Sequence, residues 1–222
     1  MLPFKPNIIY EDNHLIAINK PSGILVQGDN THDIPLTELM KEFIKIRDHK
    51  PGNVFIGLIH RLDRPVSGLV LLAKTSKALE RMNKLFSTRE VTKTYLALVK
   101  NKPQFEKGEL THHLVKNEKE NFVKSFSKSV PGSKEANLEY RLIQKVGSNF
   151  LLEVTPHTGR SHQIRVQLSS MGCPIIGDTK YGSDISKNDL SINLHSWKLN
   201  FIHPVTKIQI LIESDLPIWA IK

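Results

Sequence analysis

The pattern of apolar and polar positions predicts a chain of short strands interrupted by three helices. Apolar stripes at the 3.6-residue period predict helices over residues 36–47 and from a cap at Ser76 onward. A third helix is predicted over residues 161–171, where a Gly-Cys-Pro sequence ends it. Strands are predicted where apolar runs lie between turn residues, at 7–10, 14–19, 23–26, 68–74, 91–99, 139–145, 150–155, 194–201 and 208–212.

These elements do not alternate strictly between strand and helix. The order favours an α+β fold with a mixed, largely antiparallel sheet and helices packed against it. Residues 68–74 form a continuous apolar run, which predicts a strand buried on both faces. A chain of 222 residues with 39% hydrophobic content is long enough for a sizeable core, and we predict a single domain over residues 1–222.

Charge and cysteine content narrow the class of protein. The formal net charge is +9, which suits a polyanionic partner such as RNA or DNA. No apolar run approaches the roughly 20 residues that span a bilayer, and the amino-terminal residues lack the pattern of a signal peptide. Cys173 is the only cysteine, so an internal disulfide and a cysteine metal cluster are excluded, and a cytoplasmic location is expected.

The segment 108–132 mixes lysines and glutamates with Thr, Ser and Asn. This composition predicts a hairpin or a mobile loop. Two interpretations of its charge stay open, a solvated surface and an arm that contacts RNA.

The most informative segment is HRLDRPVSGLVLLAK, residues 60–74, which places Asp63 between Arg61 and Arg64 just before a strand. A carboxylate among cations stays ionised near neutral pH and can act as a nucleophile or a base. The alternative is a salt-bridged aspartate in a strand-entry turn, since structural ion pairs outnumber catalytic acids.

Three further segments belong to the same pattern. IIYEDNHLIAINKPSGILV at residues 8–26 precedes this segment, and KTYLALV at 93–99 and GRSHQIRVQLSSMGCPIIGD at 159–178 follow it. Together the four segments resemble the motifs of the RluA-type RNA pseudouridine synthases, and several motifs in one order are more specific than any one alone. The resemblance implies the pseudouridine synthase catalytic fold, an isomerase without cofactor or metal, and Asp63 as the catalytic residue.

The resemblance also implies roles for three further residues. Tyr95 would stack on the extruded uracil, Arg165 would pair with Asp63 to keep it ionised, and Ile164 would form an apolar wall beside the base. Taken alone, Tyr95 and Ile164 also fit core side chains, and Arg165 fits a surface helix arginine.

Four basic residues complete the predicted site. Arg61 is expected to hold the RNA backbone or to help extrude the base, and Arg160 with His162 would bind phosphate near a helix N-terminus. His60 is either part of the site or a packed, neutral histidine. The remaining histidines lack a metal-binding spacing, and no G-x-S-x-G sequence marks a hydrolase serine.

Three positions depart from the commoner family pattern: Val66 replaces a Thr, and Cys173 and Gln167 each replace a His. None of them removes a proposed catalytic group, but they indicate a subgroup. Because the chain begins at the opening hairpin, we expect it to act without the small amino-terminal RNA-binding domain that many relatives carry.

We therefore expect a monomeric, cytoplasmic enzyme that isomerises a specific uridine to pseudouridine in structured tRNA or ribosomal RNA, with no membrane partner. The first alternative is a catalytically silent RNA-binding or RNA-folding protein on the same fold. The second is a basic hydrolase or nuclease that needs no metal, which the chain supports poorly.

The net charge predicts that RNA affinity depends strongly on salt. If three or more phosphates are neutralised, the affinity for folded RNA falls at least about tenfold between roughly 50 and 200 mM monovalent salt. Filter binding across this range measures the slope. A flat response would contradict the argument from the basic charge.

Overall fold

The computed structural model describes residues 4–29, 31–187 and 189–221. The described residues contain eleven strands: β1 (Ile8–Glu11), β2 (Leu15–Lys20), β3 (Gly57–Leu58), β4 (Ser67–Ala73), β5 (Thr92–Val99), β6 (Lys107–Asn117), β7 (Phe122–Phe126), β8 (Lys134–Val146), β9 (Asn149–Pro156), β10 (Leu194–Ile202) and β11 (Gln209–Glu213). They also contain four α-helices: α1 (Leu36–Arg47), α2 (Ser76–Ser87), α3 (Gln163–Ser170) and α4 (Ile218–Ile221). A 3-10 turn covers Thr179–Tyr181.

The chain divides into two compact units. Unit 1 comprises Met1–Thr92 with Ser196–Asp215, and unit 2 comprises Lys93–His195 with Leu216–Lys222, within the limits of the described residues. The boundaries fall near the start of β5 and inside β10, so unit 1 is built from two separate stretches of the chain. The single domain over residues 1–222 stays a prediction.

In unit 1, β4 lies at the centre of an antiparallel arrangement. It pairs with β2 from Leu15↔Ala73 to Lys20↔Gly68, and β3 pairs with its far end at Gly57↔Ala73. Strands β10 and β11 form an antiparallel pair in the same unit. The side chains of residues 69–73 are fully buried, which confirms the prediction of a strand without a solvent-facing side.

Helix α1 has the predicted bounds, whereas the cap of α2 lies one residue earlier than predicted. The Thr75 hydroxyl accepts a hydrogen bond from the Ala78 N–H at 3.2 Å, so Thr75 is the N-cap and Ser76 the first helical residue. Ala78 and Met82 then pack into a core cluster with β2, β4, β10 and β11. A sequence with two adjacent hydroxyl residues does not distinguish between these two caps.

Unit 2 is built on an antiparallel sheet in the order β5-β9-β8-β6-β7. Strands β6 and β7 form a hairpin closed by residues 118–121, which confirms the hairpin alternative for part of segment 108–132. Val166 of α3 packs on the inner side of this hairpin with Leu114 and Val123. Helix α3 begins two residues later than predicted because His162 adopts a left-handed conformation with φ of 50°.

The predicted strand at residues 23–26 is wrong, because its backbone groups bond elsewhere. Gly23 has φ of 89°, and its N–H donates to the Arg64 carbonyl at 2.8 Å. The Leu25 carbonyl accepts from the Leu36 N–H at 2.7 Å, and the Ile24 carbonyl accepts from the Lys20 ammonium. The segment is therefore a loop held by polar contacts. The secondary structure as a whole agrees with the predicted α+β class.

Gly68 offers a sharp test of how unit 1 is packed. Its φ is 109°, and a Cβ at this position would lie 2.2 Å from the Ser196 carbonyl oxygen. We expect Gly68→Ala to lower the free energy of unfolding by more than about 3 kcal/mol, through backbone strain and a clash that backbone atoms cannot relieve. Urea denaturation measures the loss.

Gly52→Ala is the matched control, because a Cβ at Gly52 meets nothing within 4 Å. It should change the stability by no more than about 0.5 kcal/mol. Equal stabilities for the two alanine variants would contradict the close approach of β4 and β10.

Candidate active site

Asp63 lies on a tight turn immediately before the buried strand β4. Its carbonyl accepts a hydrogen bond from the Val66 N–H at 3.0 Å, and Val66 is buried in unit 1. The Asp63 side chain is half-buried. The turn therefore places one carboxylate at the start of a rigid strand, where its backbone position is fixed.

Three hydrogen bonds fasten this turn to the loop that follows β2. The Gly23 N–H donates to the Arg64 carbonyl at 2.8 Å, and the Arg64 Nε donates back to the Gly23 carbonyl at 2.9 Å. The Lys20 ammonium also donates to the Arg64 carbonyl, at 3.4 Å. Arg64 further forms a 2.7 Å ion pair with Asp33, so this arginine is a structural link between loops.

Lys20 is a buried cation that is not among the site residues predicted from the sequence. It is 0% exposed, and its Nζ donates to the carbonyls of Pro21 at 2.9 Å and Ile24 at 3.0 Å. Burial lowers the pKa of Lys20 to about 7, against the opposing effect of the Asp63 charge. A signal was present, since this lysine ends an apolar strand just before a Pro-Ser-Gly turn.

His60 and Arg61 differ in their surroundings. The His60 Nε2 accepts a hydrogen bond from the Leu71 N–H at 3.0 Å, and its ring stacks on Phe86 with centroids 5.1 Å apart. An accepting Nε2 is unprotonated, so these contacts favour the packed, neutral histidine of the two alternatives. Arg61, in contrast, is exposed.

Tyr95 lies in β5 of unit 2, opposite Val154 of β9, and it is half-buried. Two residues earlier on the same strand, burial lowers the pKa of the Lys93 ammonium. The Lys93 Nζ lies near Gly159, since a Cβ on that glycine would be 3.8 Å away from it. The segments KTYLALV and GRSHQIR therefore meet at this point of unit 2.

Arg165 is buried, unlike the surface helix arginine that was its alternative. It is 6% exposed, and its guanidinium binds the Asp178 carboxylate bidentately, with Nε to Oδ2 at 2.7 Å and Nη2 to Oδ1 at 2.8 Å. The guanidinium carbon also lies 5.0 Å from the centre of the Tyr181 ring. Neither Asp178 nor Tyr181 is among the site residues predicted from the sequence, although the fourth segment ends at Asp178. The neighbouring Ile164 is buried as well.

The two residues before α3 have different environments. Arg160 is exposed, and its Nε donates to the Glu135 carbonyl at 3.0 Å. His162 is buried, and its Nδ1 lies 2.7 Å from the Tyr181 hydroxyl. Arg160 is thus open to a ligand, whereas the His162 Nδ1 faces the protein.

The departures from the family pattern occupy buried positions. Gln167 is 0% exposed, and its Nε2 donates to the carbonyls of Leu110 at 2.9 Å and Ala136 at 3.1 Å, which joins α3 to β6 and β8. Cys173 is also buried, and burial raises the pKa of its thiol. The buried Val66 side chain is apolar and needs no hydrogen-bond partner. All three residues therefore lie in the protein interior, and Gln167 contributes hydrogen bonds there.

The comparison with known families decides the class. A model of the RNA pseudouridylate synthase family matches residues 14–170, a span that contains Asp63, Tyr95 and Arg165. The chain belongs to this family. The recognition of RluA-type motifs in the sequence is thereby confirmed.

Curated pseudouridine synthases resemble the chain over nearly all of its length. "Ribosomal large subunit pseudouridine synthase C" of Buchnera aphidicola subsp. Schizaphis graminum is 36% identical over 220 residues, which cover 96% of this chain and 68% of the relative. The protein of the same name from Vibrio cholerae is 34% identical over 94% of this chain and 65% of the relative. This pseudouridine synthase therefore spans about two thirds of the length of these relatives.

Two solved structures have the same fold. "Human RNA Pseudouridylate Synthase Domain Containing 4" superposes with a TM-score of 0.80 at 24% identity, covering 96% of this chain and 89% of that one. "Human RNA Pseudouridylate Synthase Domain Containing 1" gives 0.76 at 24% identity, covering 96% and 84%. These matches confirm the predicted pseudouridine synthase fold.

None of the described helices is long and apolar enough to cross a membrane. Over the same ranges, no group of three or more His, Cys, Asp or Glu side chains has a geometry that would hold a metal ion.

The lowered pKa of Lys20 predicts how stability changes with pH. The folded protein releases this proton near pH 7, whereas the unfolded chain keeps it up to a pKa of 10.5, so unfolding takes up a proton between these values. The wild type should therefore gain about 2 kcal/mol relative to Lys20→Met between about pH 7 and 9. Denaturant unfolding of both proteins at the two pH values measures the difference. Parallel pH dependences would show that the buried amine does not titrate there.

Proposed function

We propose that this pseudouridine synthase isomerises uridine in ribosomal RNA, with Asp63 as its catalytic carboxylate. The observation that carries the proposal is a half-buried carboxylate on a turn fastened by Lys20, Gly23 and Arg64, inside the segment that matches the family. The names of the curated relatives favour ribosomal RNA over the tRNA that the sequence left open.

The reaction needs few groups, because its substrate and product are isomers. The bond between uracil N1 and the ribose C1′ breaks, the base rotates, and a bond forms between C5 and C1′. The C5 proton then leaves and N1 takes a proton, so atoms and electrons balance without a redox partner. The target nucleotide has to leave its stack first, since its reacting atoms are otherwise shielded.

Asp63 begins this sequence as an ionised carboxylate. Three routes are open to it: attack on the ribose C1′, addition to C6 of the ring, or removal of the proton at the ribose C2′. Each route needs the carboxylate deprotonated and held still. The fastened turn supplies the second condition, because the Asp63 backbone cannot move without breaking the bonds of Arg64.

The remaining site residues have supporting roles. Tyr95 stacks on the extruded uracil, which is worth about 1–3 kcal/mol per base. Arg165 supplies the positive charge that keeps a desolvated Asp63 ionised, and its burial in unit 2 supports a role beyond surface charge. Ile164 forms the apolar wall beside the base.

Basic side chains hold the RNA around the target nucleotide. The exposed Arg61 and Arg160 fit contacts to the phosphate backbone, and the net charge of +9 adds a long-range attraction. His60 and His162 support the site through packing, since each has a ring nitrogen engaged by the protein. The enzyme acts as a monomer in the cytoplasm and needs no cofactor or metal.

Asp63→Asn tests the proposed role of the carboxylate. The change keeps the size of the side chain and removes its charge, so turnover should fall at least about 1,000-fold while RNA affinity stays within about threefold. Pseudouridine is mapped at nucleotide resolution in ribosomal RNA and tRNA from cells that lack the gene and carry wild type or Asp63→Asn.

The matched control is Asp215→Asn, which makes the same chemical change at an exposed aspartate of unit 1. It should restore modification as well as wild type does. A ribosomal uridine that wild type and the control restore and Asp63→Asn does not would support the proposal. A modified tRNA site would contradict the ribosomal target, and full function of Asp63→Asn would favour the silent RNA-binding alternative.

A further inference from the structure

The turn at residues 178–181 lies between Arg165 and the β6-β7 hairpin, and it contacts both. Its first residue, Asp178, is 1% exposed and holds Arg165 through two charge-assisted hydrogen bonds. Its last residue, Tyr181, places its ring against the same guanidinium. We call these four residues the linking turn.

Tyr181 joins the linking turn to the inner side of the hairpin. Its hydroxyl accepts a hydrogen bond from the Val123 N–H of β7 at 2.9 Å, and its ring stacks on Phe122 with centroids 4.9 Å apart. The same hydroxyl lies 2.7 Å from the His162 Nδ1 at the start of the helix that carries Arg165. One buried hydroxyl thus bridges β7 and α3.

Lys180 makes a second connection, at the tip of the hairpin. Its Nζ donates to the Asn121 carbonyl at 2.9 Å and to the Glu120 carbonyl at 3.3 Å. These carbonyls belong to the loop that joins β6 to β7. The linking turn therefore contacts the hairpin at its tip through Lys180 and along β7 through Tyr181.

We propose that Asp178 and Tyr181 are positioning residues for Arg165, and that Tyr181 couples the position of the guanidinium to the position of the β6-β7 hairpin. The Asp178 carboxylate fixes the plane of the guanidinium because it accepts hydrogen bonds from both Nε and Nη2 of Arg165. The third guanidinium nitrogen, Nη1, takes no part in these two hydrogen bonds. Tyr181 transmits the position of β7, because the Val123 backbone cannot shift without moving the hydroxyl. This inference rests on the proposed function of Arg165.

The arrangement gives the hairpin a role in catalysis that surface charge alone does not. The hairpin carries Lys119 and Lys124, which are exposed side chains able to contact phosphates. An RNA that settles on these lysines would press on β7 and, through Tyr181, on α3. Correct docking would then be required for the correct orientation of Arg165, which links substrate fit to turnover.

Tyr181→Phe tests the proposal with a small change. The variant keeps the ring against Phe122 and Arg165 and loses the hydroxyl bridge, so kcat should fall about tenfold with KM within about twofold. Exchange of the Arg165 Nε–H with solvent, followed by NMR on the assigned side-chain signal, should accelerate at least about tenfold. A purely structural tyrosine would change the melting temperature and leave this exchange rate where it was.

Asp178→Asn and a double-mutant cycle provide independent readings. Asp178→Asn should accelerate the same exchange at least about 100-fold, because it removes the charge from the bidentate pair. In an Arg165→Lys background, Tyr181→Phe should lower the single-turnover rate by less than about twofold. The guanidinium through which Tyr181 acts is then already absent, so the effects of the two substitutions do not add. If Asp178→Asn fails to fold, Tyr181→Phe decides alone.

The matched control is Tyr10→Phe, which removes a tyrosine hydroxyl that donates to Asp12 in unit 1. It should leave both the exchange rate and kcat unchanged. Unchanged exchange in Tyr181→Phe, or an equal loss of rate in both backgrounds, would overturn the proposal. If wild type modifies no RNA, the proposed function fails, and the exchange measurement still decides whether Tyr181 restrains Arg165.

Discussion

The buried ammonium of Lys20 holds together the two loops on which the position of Asp63 depends. It donates to the carbonyls of Pro21, Ile24 and Arg64, groups that have no partner strand to satisfy them. A buried carbonyl without a hydrogen-bond donor destabilises the folded protein. The hydrogen bonds that Lys20 donates to the two loops therefore offset the cost of burying its ammonium in an apolar strand. Burial lowers the pKa of Lys20, and the negative charge of Asp63 acts in the opposite direction. The protonation of Lys20 is therefore linked to the candidate active site.

Much of the fold follows from local patterns in the sequence. The bounds of α1 and the burial of β4 were predictable because each depends on one period of apolar residues. The prediction of Asp63 as the catalytic carboxylate has a different basis, the resemblance of the segment at residues 60–74 to a family motif. The order of the four segments then indicated the family, which a single motif would not have done.

The remainder depends on which groups meet across the fold, and a linear pattern does not contain this information. Asp178 binds Arg165 from thirteen residues away, and Tyr181 reaches β7 from 58 residues away. The loop at 23–26 looked like a strand because its residues are apolar, yet its carbonyls are taken by Lys20 and Leu36. The structural contacts of Arg64 depend on such a meeting as well, since its Nε donates to the Gly23 carbonyl on another loop.

The close approach of Gly68 to Ser196 has a consequence for how the protein is made. Unit 1 takes its first 92 residues from the start of the chain but completes its core with Leu199, Phe201 and Ile212. During translation the amino-terminal strands leave the ribosome long before these residues do, with apolar side chains still uncovered. Unit 2 is nearly continuous in sequence and can form in the interval. Unit 1, which carries Asp63, can therefore complete its core only after residues 93–195 of unit 2 have been synthesised.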